Sequence, residues 1–308
     1  MISERRSYSV SLPGRKPLNL GARTLVMGIL NVTPDSFADG GLHFDVERAV
    51  EAGLRMAQDG VDIIDVGGES TRPGADALPE ADELRRVIPV IERLATRVDV
   101  PISIDTYKSA VGRAAVAAGA TIINDISGLL YDPLLAHVAA DTGAAIVLMH
   151  TRGRSRGMYD LASYDDAPIE VARELHGAIA RATSAGVPFE SVILDPGLGF
   201  AKKAEHSMTV LAQLDSLASL DRPVLSGPSR KSFLKAALGE RPPEAREWGT
   251  AAAVTASVLL GAHIVRVHGV PQMIDVVRVA DLIRDAAGKR IAVAIGITEE
   301  VTDGPHGS

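Results

Sequence analysis

Cysteine is absent from this 308-residue chain, so it has no disulfide framework and no thiolate chemistry. No apolar run is long enough to cross a bilayer. The opening Met1-Ile2-Ser3-Glu4-Arg5-Arg6 has no apolar stretch behind it of the kind a secretory signal needs. A cytoplasmic protein with no membrane partner is expected. Basic excess is lacking too. The formal net charge is -7, which is not the footprint of a nucleic-acid binder. An anionic small substrate remains compatible with that charge if cations are gathered locally. Several motifs are missing as well. No Gly-x-Gly-x-x-Gly follows the first strand and no Gly-x-Ser-x-Gly elbow occurs. The eight histidines form no His-x-His or His-Glu-x-x-His pair, which argues against zinc.

What the chain has is a core, at 46% hydrophobic and 23% charged residues, and a recurring grammar. Tyr8, Val10 and Leu12 alternate, Pro13-Gly14 turns, and Leu18 and Leu20 alternate again, which predicts a hairpin plugging one end of the core. Eight short apolar runs then begin at Leu25, Val61, Ile102, Thr121, Ala145, Val192, Val224 and His263. Helical patterns separate them, and five of these stop at a glycine just before the next run: Gly60, Gly119, Gly143, Gly186 and Gly261. Asp45 and Ser229 are expected to cap helices, and helices are expected over 205–219 and 250–260. Eight strands alternating with helices within one domain's length predict a closed (β/α)8 TIM barrel rather than an open sheet. The expected organisation is an N-terminal hairpin segment (1–23), the barrel (24–288) and a C-terminal tail (289–308).

In such a barrel the C-terminal ends of the strands share one rim, where active sites form. Those ends read Asn31, Gly67-Gly68-Glu69, Asp105, Asn124, Met149-His150, Asp195, Ser226-Gly227 and Arg266/His268. The last two strands, where barrels commonly bind phosphate, carry Lys231, Arg266 and His268 beside a Gly-containing turn. Arg230 reads better as a solvated helix start. Arg72 reads equally as an anion clamp or a surface loop residue. Asp105, Asn124 and Asp195 offer acceptors that, buried together, need donors from a partner. A flat heterocycle with amino and ring N–H groups supplies them, one carboxylate taking a guanidine-like edge in bidentate fashion. Asn31 and Asp35 are oxygen ligands suited to Mg²⁺ with substrate phosphates, although Asp35 is equally a turn residue. No nucleophile constellation emerges, and His263 reads as structural.

The long stretches 27–37, 65–74, 104–106, 124–128, 194–200, 229–233 and 266–268 strongly resemble the dihydropteroate synthase family, over roughly residues 24–286. They include Asn31-Val32-Thr33-Pro34-Asp35, Thr71-Arg72-Pro73-Gly74, Asp195-Pro196-Gly197, Ser229-Arg230-Lys231-Ser232 and Arg266-Val267-His268. The resemblance implies a (β/α)8 enzyme joining 6-hydroxymethyl-7,8-dihydropterin diphosphate to p-aminobenzoate, releasing diphosphate with Mg²⁺. It implies Asp105, Asn124, Asp195 and Lys231 as pterin-binding residues. Asn31, Arg266 and His268 form the diphosphate and Mg²⁺ set, with Asn31 as metal ligand. Thr71, Arg72, Pro73, Phe200 and Ser232 face p-aminobenzoate, with Thr71 also on the pterin diphosphate side. Asp105, Asp195, Lys231, Arg266 and His268 are then the catalytic set, and a homodimer through the late helices is expected.

The chain departs from the family at Gly269, where Asp is common, and in the loop 151–164 with Arg152, Arg154 and Arg156. Ala201-Lys202-Lys203 is a milder variation. The alternatives are a methyltetrahydrofolate methyltransferase, which would not need the anion-binding set, a catalytically silent pterin-binding relative, and a sulfonamide-insensitive synthase.

Overall fold

A computed structural model of the chain describes residues 5–32, 42–70, 76–154 and 156–294. Tyr8–Val10 (β1) and Leu18–Leu20 (β2) form an antiparallel hairpin, with Tyr8 opposite Leu20 and Val10 opposite Leu18. Eight parallel strands follow: β3 (Leu25–Asn31), β4 (Ile63–Gly67), β5 (Ile102–Asp105), β6 (Ile122–Asp125), β7 (Ala145–Met149), β8 (Val192–Asp195), β9 (Leu225–Ser226) and β10 (Ile264–Val267). They pair in the order β8-β7-β6-β5-β4-β3-β10-β9. A parallel bridge between Leu194 and Val224 joins the two ends, with the Leu194 N–H donating to the Pro223 carbonyl at 2.9 Å. The sheet therefore closes as the expected (β/α)8 barrel.

The helices are α1 (Leu42–Asp59), α2 (Glu80–Ala95), α3 (Ser109–Ala117), α4 (Leu134–Thr142), α5 (Ala167–Ser184), α6 (Ala204–Ala212), α7 (Lys235–Leu238), α8 (Glu247–Leu259) and α9 (Val270–Ala294). All five stop glycines take positive φ. After α1, Gly60 N–H donates to the Ala57 carbonyl and Val61 N–H to the Met56 carbonyl, each at 3.1 Å. This pair of bonds satisfies carbonyls the helix end leaves open, and the left-handed residue it requires is cheapest as glycine.

Four elements differ from expectation. The first helix begins at Leu42, so Asp45 lies inside it rather than capping it. The helix expected over 205–219 breaks at Gln213 and continues as a 3-10 turn, Leu214–Leu220. Ser229 caps no helix; its hydroxyl turns to His268 at 2.9 Å. The last helix continues through Ala294, past the expected boundary at 288.

Strand alternation divides the core into two compartments. Ile64 and Val66 of β4 face the helices, in the large cluster that includes Val87, Ile91 and Ile104. Met27, Ile63, Ile122, Val147, Ile193, Leu225 and Ile264 fill the barrel interior together with Val10, Leu12, Leu18 and Leu20 of the hairpin segment. The hairpin thus plugs the N-terminal end of the barrel. His263 fastens it: Nδ1 accepts from the Val224 N–H at 3.1 Å, and Nε2 lies 3.0 Å from the Arg6 carbonyl. That confirms its structural part.

Candidate active site

The inward period of two carries polar residues to the open end of the barrel. Asn31 pairs in register with Gly67, Gly67 with Asp105, and Asp105 with Asn124, so four neighbouring strands place one tier at the rim. Gly67 leaves a gap in that tier. A Cβ there would stand 3.5 Å from the Asp105 Cβ and 3.8 Å from Asn31 Oδ1. β8 ends at Asp195, and β10, which pairs with β3, contributes Arg266. Asp105, Asn124, Asp195, Lys231, Arg266 and Phe200 line one open pocket, with Ile126, Met149, Leu198, Gly197 and Gly227. Ile126, Met149 and Tyr107 pack together with Tyr131 and Phe200 against them, giving the pocket an apolar wall.

The floor of the pocket is a charge network. Arg266 Nε donates to Asp65 Oδ2 at 2.6 Å, and an Nη of the same guanidinium donates to Asp105 Oδ2 at 2.7 Å. Asn124 Nδ2 also donates to Asp65 Oδ2, at 3.0 Å. The other oxygens of both carboxylates, Asp65 Oδ1 and Asp105 Oδ1, are buried without a hydrogen-bond partner among the described residues. Such orphaned acceptors are costly, and the one on Asp105, which lines the pocket, calls for a donor from a ligand. Burial pushes the Asp105 carboxyl well above the usual range; Arg266 opposes the shift and neighbouring Asp65 adds to it. Burial raises Asp195 too, against the Gly197 N–H, which donates to its Oδ1 at 2.7 Å.

Lys231 reaches the pocket over Gly199, and its Nζ stands 3.8 Å from the centroid of the Phe200 ring. Burial lowers its ammonium to about 8, with the nearby Arg266 charge adding and Asp195 opposing. The turn carrying Phe200 is backed by Lys202, one of the largest fully buried side chains. Burial takes that ammonium down to about 7.

Three expected site residues stand beside the pocket rather than in its wall. Asn31 closes β3 at the rim. Ser232 is exposed, with its Oγ 3.3 Å from the Tyr159 hydroxyl, which also donates to the Gly199 carbonyl. His268 is held at Nδ1 by Ser229, and its backbone N–H donates to the Ser229 Oγ at 3.2 Å. Ser229 supplies support that Gly269 does not. Thr71, Arg72, Pro73 and Asp35 lie outside the described residues. Arg230 points away, donating from Nε to Glu247 Oε1 at 2.5 Å.

The loop with three arginines is engaged with the protein itself. Arg152 pairs with Glu170 and Glu174 and lies 3.9 Å from the Tyr164 ring centroid. Arg154 lies 4.5 Å from that of Tyr131, and Arg156 pairs with Asp76 at 2.6 Å. Among polar residues at this site, Asp65 and Lys202 escape a reading of strand ends. A carboxylate inside the apolar run Ile63-Ile64-Asp65-Val66, in phase with inward Ile63, was the available signal for Asp65.

Fold and site together define a (β/α)8 enzyme whose pocket matches a flat, donor-rich ligand at its floor and an anion or aromatic group toward its mouth. Residues 27–268 match the family described as pterin binding enzyme, and the chain belongs to that family. A dihydropteroate synthase of Synechocystis sp. is 46% identical over 268 residues, spanning 87% of this chain and 93% of that protein. The solved structure of Xanthomonas albilineans dihydropteroate synthase with 4-aminobenzoic acid superposes with a TM-score of 0.84 and 45% identity, covering 91% of this chain and 99% of that one. The Yersinia pestis dihydropteroate synthase in a sulfonamide drug complex gives 0.83 and 41%, covering 90% and 99%.

Proposed function

We propose that the chain is a dihydropteroate synthase, a transferase joining 6-hydroxymethyl-7,8-dihydropterin diphosphate to p-aminobenzoate to give 7,8-dihydropteroate and diphosphate. The observation that carries this reading is the pocket lining, where Asp105 keeps an unmatched buried oxygen beside Asn124 and Asp195, above the buried Asp65. The amino and ring N–H groups of a pterin are the donors such a lining lacks. In this reading Asp105, Asn124, Asp195 and Lys231 hold the pterin. Thr71, Arg72, Pro73, Phe200 and Ser232 form the p-aminobenzoate side.

The chemistry needs no side-chain nucleophile. The bond from the pterin methylene carbon to the diphosphate oxygen breaks, and its electron pair leaves with the diphosphate. Asp105 and Asp195 stabilise the pterin methylene cation, while Lys231 and His268 face the developing negative charge with Arg266. The aryl amine then attacks the methylene carbon and loses a proton. Preorganised charges of this kind contribute on the order of 3 kcal/mol each to the transition state.

Mg²⁺ belongs to this proposal through Asn31. Its amide oxygen lies beside Asp105 across the Gly67 gap and is a hard, neutral ligand. A single protein oxygen of that type suits an ion that keeps its waters and takes its other ligands from diphosphate. When bound, the ion would neutralise charge on the leaving group.

A homodimer is part of the same reading. Thr250, Ala253, Val254, Ser257 and Val258 of α8 are buried within the chain, so that helix is spent on its own core. Trp248 is 87% exposed, and Val279, Leu282 and Ile283 of α9 are exposed as well. The outer face of α9, with Trp248 at the start of α8, is the face offered to a second copy, which sedimentation would detect.

A diphosphate-release assay with both substrates tests the function. Release that requires p-aminobenzoate is expected, as is competition by a sulfonamide, which mimics p-aminobenzoate. Pterin binding without release would instead identify a silent relative.

A further inference from the structure

Lys202 lies behind the pocket, where its Nζ meets the backbone carbonyls of two lining residues, Gly197 and Phe200. It is 1% exposed, a rare place for a lysine with no ion pair at its tip among the described residues. Its Nζ meets His150 Nδ1 at 2.7 Å, the Gly197 carbonyl at 3.1 Å and the Phe200 carbonyl at 3.1 Å, with the His150 carbonyl farther off at 3.4 Å. An ammonium has three N–H donors, and three close acceptors surround this one.

The histidine can accept because of what lies beyond it. His150 Nε2 is 3.1 Å from Glu174 Oε2. The carboxylate fixes the proton on Nε2 and leaves the Nδ1 lone pair for Lys202. Burial lowers His150 to about 4, so the ring is neutral near pH 7. A continuous chain thus runs from Glu174 on α5 through His150 and Lys202 to two carbonyls of the turn after β8.

That turn needs holding. Gly197 has φ +66°, Gly199 φ +79° and Ala201 φ +46°, so three of its residues sit in the left-handed region, one of them with a side chain. Such backbone persists only when its surroundings over-determine it. The turn also carries two groups that face the pocket. Gly197 N–H donates to Asp195, and the Phe200 ring stands against Lys231.

We propose that Lys202 is a positioning residue, which, by binding the Gly197 and Phe200 carbonyls, sets the Phe200 ring for p-aminobenzoate. This rests on the synthase reading above. Asp195 is anchored through its strand as well, so the pterin side depends on Lys202 less.

The test is steady-state kinetics of Lys202→Met, which keeps length but removes every donor, and Lys202→Gln, which restores two. For Lys202→Met, KM for p-aminobenzoate is expected to rise about tenfold, the loss of a well-placed buried interaction. Pterin affinity should stay within about twofold, and Lys202→Gln should fall between Lys202→Met and the unchanged protein. An unchanged p-aminobenzoate KM, or an equal loss on the pterin side, overturns the proposal. If Lys202→Met does not fold, Glu174→Ala decides. It acts from a partly exposed helix position, and a severalfold rise in the same KM supports the relay while no rise overturns it. A protein with no p-aminobenzoate-dependent diphosphate release would defeat the synthase reading instead. Calorimetric binding of p-aminobenzoate in the presence of pterin and diphosphate then makes the same comparison.

Discussion

Arg266, on the last strand of the barrel, and Asp65, in the middle of the second strand of that barrel, meet at 2.6 Å across its interior. Asp65 is fully buried, and Arg266 is its bridge to Asp105. Buried pairs of this kind are costly to break from one side. We expect Asp65→Ala to lose about 3–5 kcal/mol of stability in urea unfolding. Adding Arg266→Met should cost less than the sum of the two single changes by more than about 1 kcal/mol. Additive losses would mean that the pair is not a unit.

Lys231 is the cation that enters the pocket over the Phe200 ring. Lys231→Ala is expected to lower turnover at least about a hundredfold, the size of a lost preorganised charge. Thermal stability should not fall, because burial makes the Lys231 charge a cost to the folded state at neutral pH. Near-normal turnover would remove Lys231 from the catalytic set.

The pH profile should separate activity from stability. Burial lowers Lys231 from 10.5 to about 8, so its charge is lost as pH rises through about 8. Between those two values the unfolded chain binds more protons than the folded one. This group's contribution to stability therefore increases with pH over that window while activity falls. On the acid side, burial raises Asp105, so activity should decline at a pH above that of an ordinary carboxylate. The measurement is kcat/KM against pH, with Lys231→Arg expected to move the alkaline limb upward. An alkaline limb that stays in place in Lys231→Arg would assign it to another group.

Two glycines with nearly equal φ should respond differently to alanine. Gly143, at φ +69°, has nothing within 4 Å of an added Cβ. Gly143→Ala should cost about 1–2 kcal/mol of backbone strain and leave the kinetic constants unchanged. Gly197, at φ +66°, would place a Cβ 2.0 Å from the His150 carbonyl oxygen. Gly197→Ala has to displace the turn beside Asp195, so pterin affinity and turnover should fall steeply. Full activity in that variant, measured beside Gly143→Ala, would contradict the turn's geometry.

The barrel was legible because its rules are local. Each stop glycine marks a left-handed helix end, and the apolar runs that follow are too short and too continuous for anything but buried parallel strands. Asp105, Asn124 and Asp195 were legible for the same reason, each standing at the end of such a run. Asp65 was not, because it sits two residues before its strand's end and only the inward parity of Ile63 reveals it. Lys202 was harder still. In sequence it is half of Lys202-Lys203, a pair that reads as solvated, and the carbonyls that bury it come from His150 and from a turn whose shape emerges only on folding. Ser229 shows the converse, a residue whose local pattern suggested a helix cap while a distant histidine claimed its hydroxyl.

The hairpin packed under the barrel by Val10, Leu12, Leu18 and Leu20 has a consequence for traffic. With the inward side chains of the strands it closes the barrel below the pocket, which opens at the C-terminal ends of the strands. On the proposed reading, the ligand held by Asp105 and Asp195 enters before the one held beside Phe200. A joined product must leave by the same opening, upper half first.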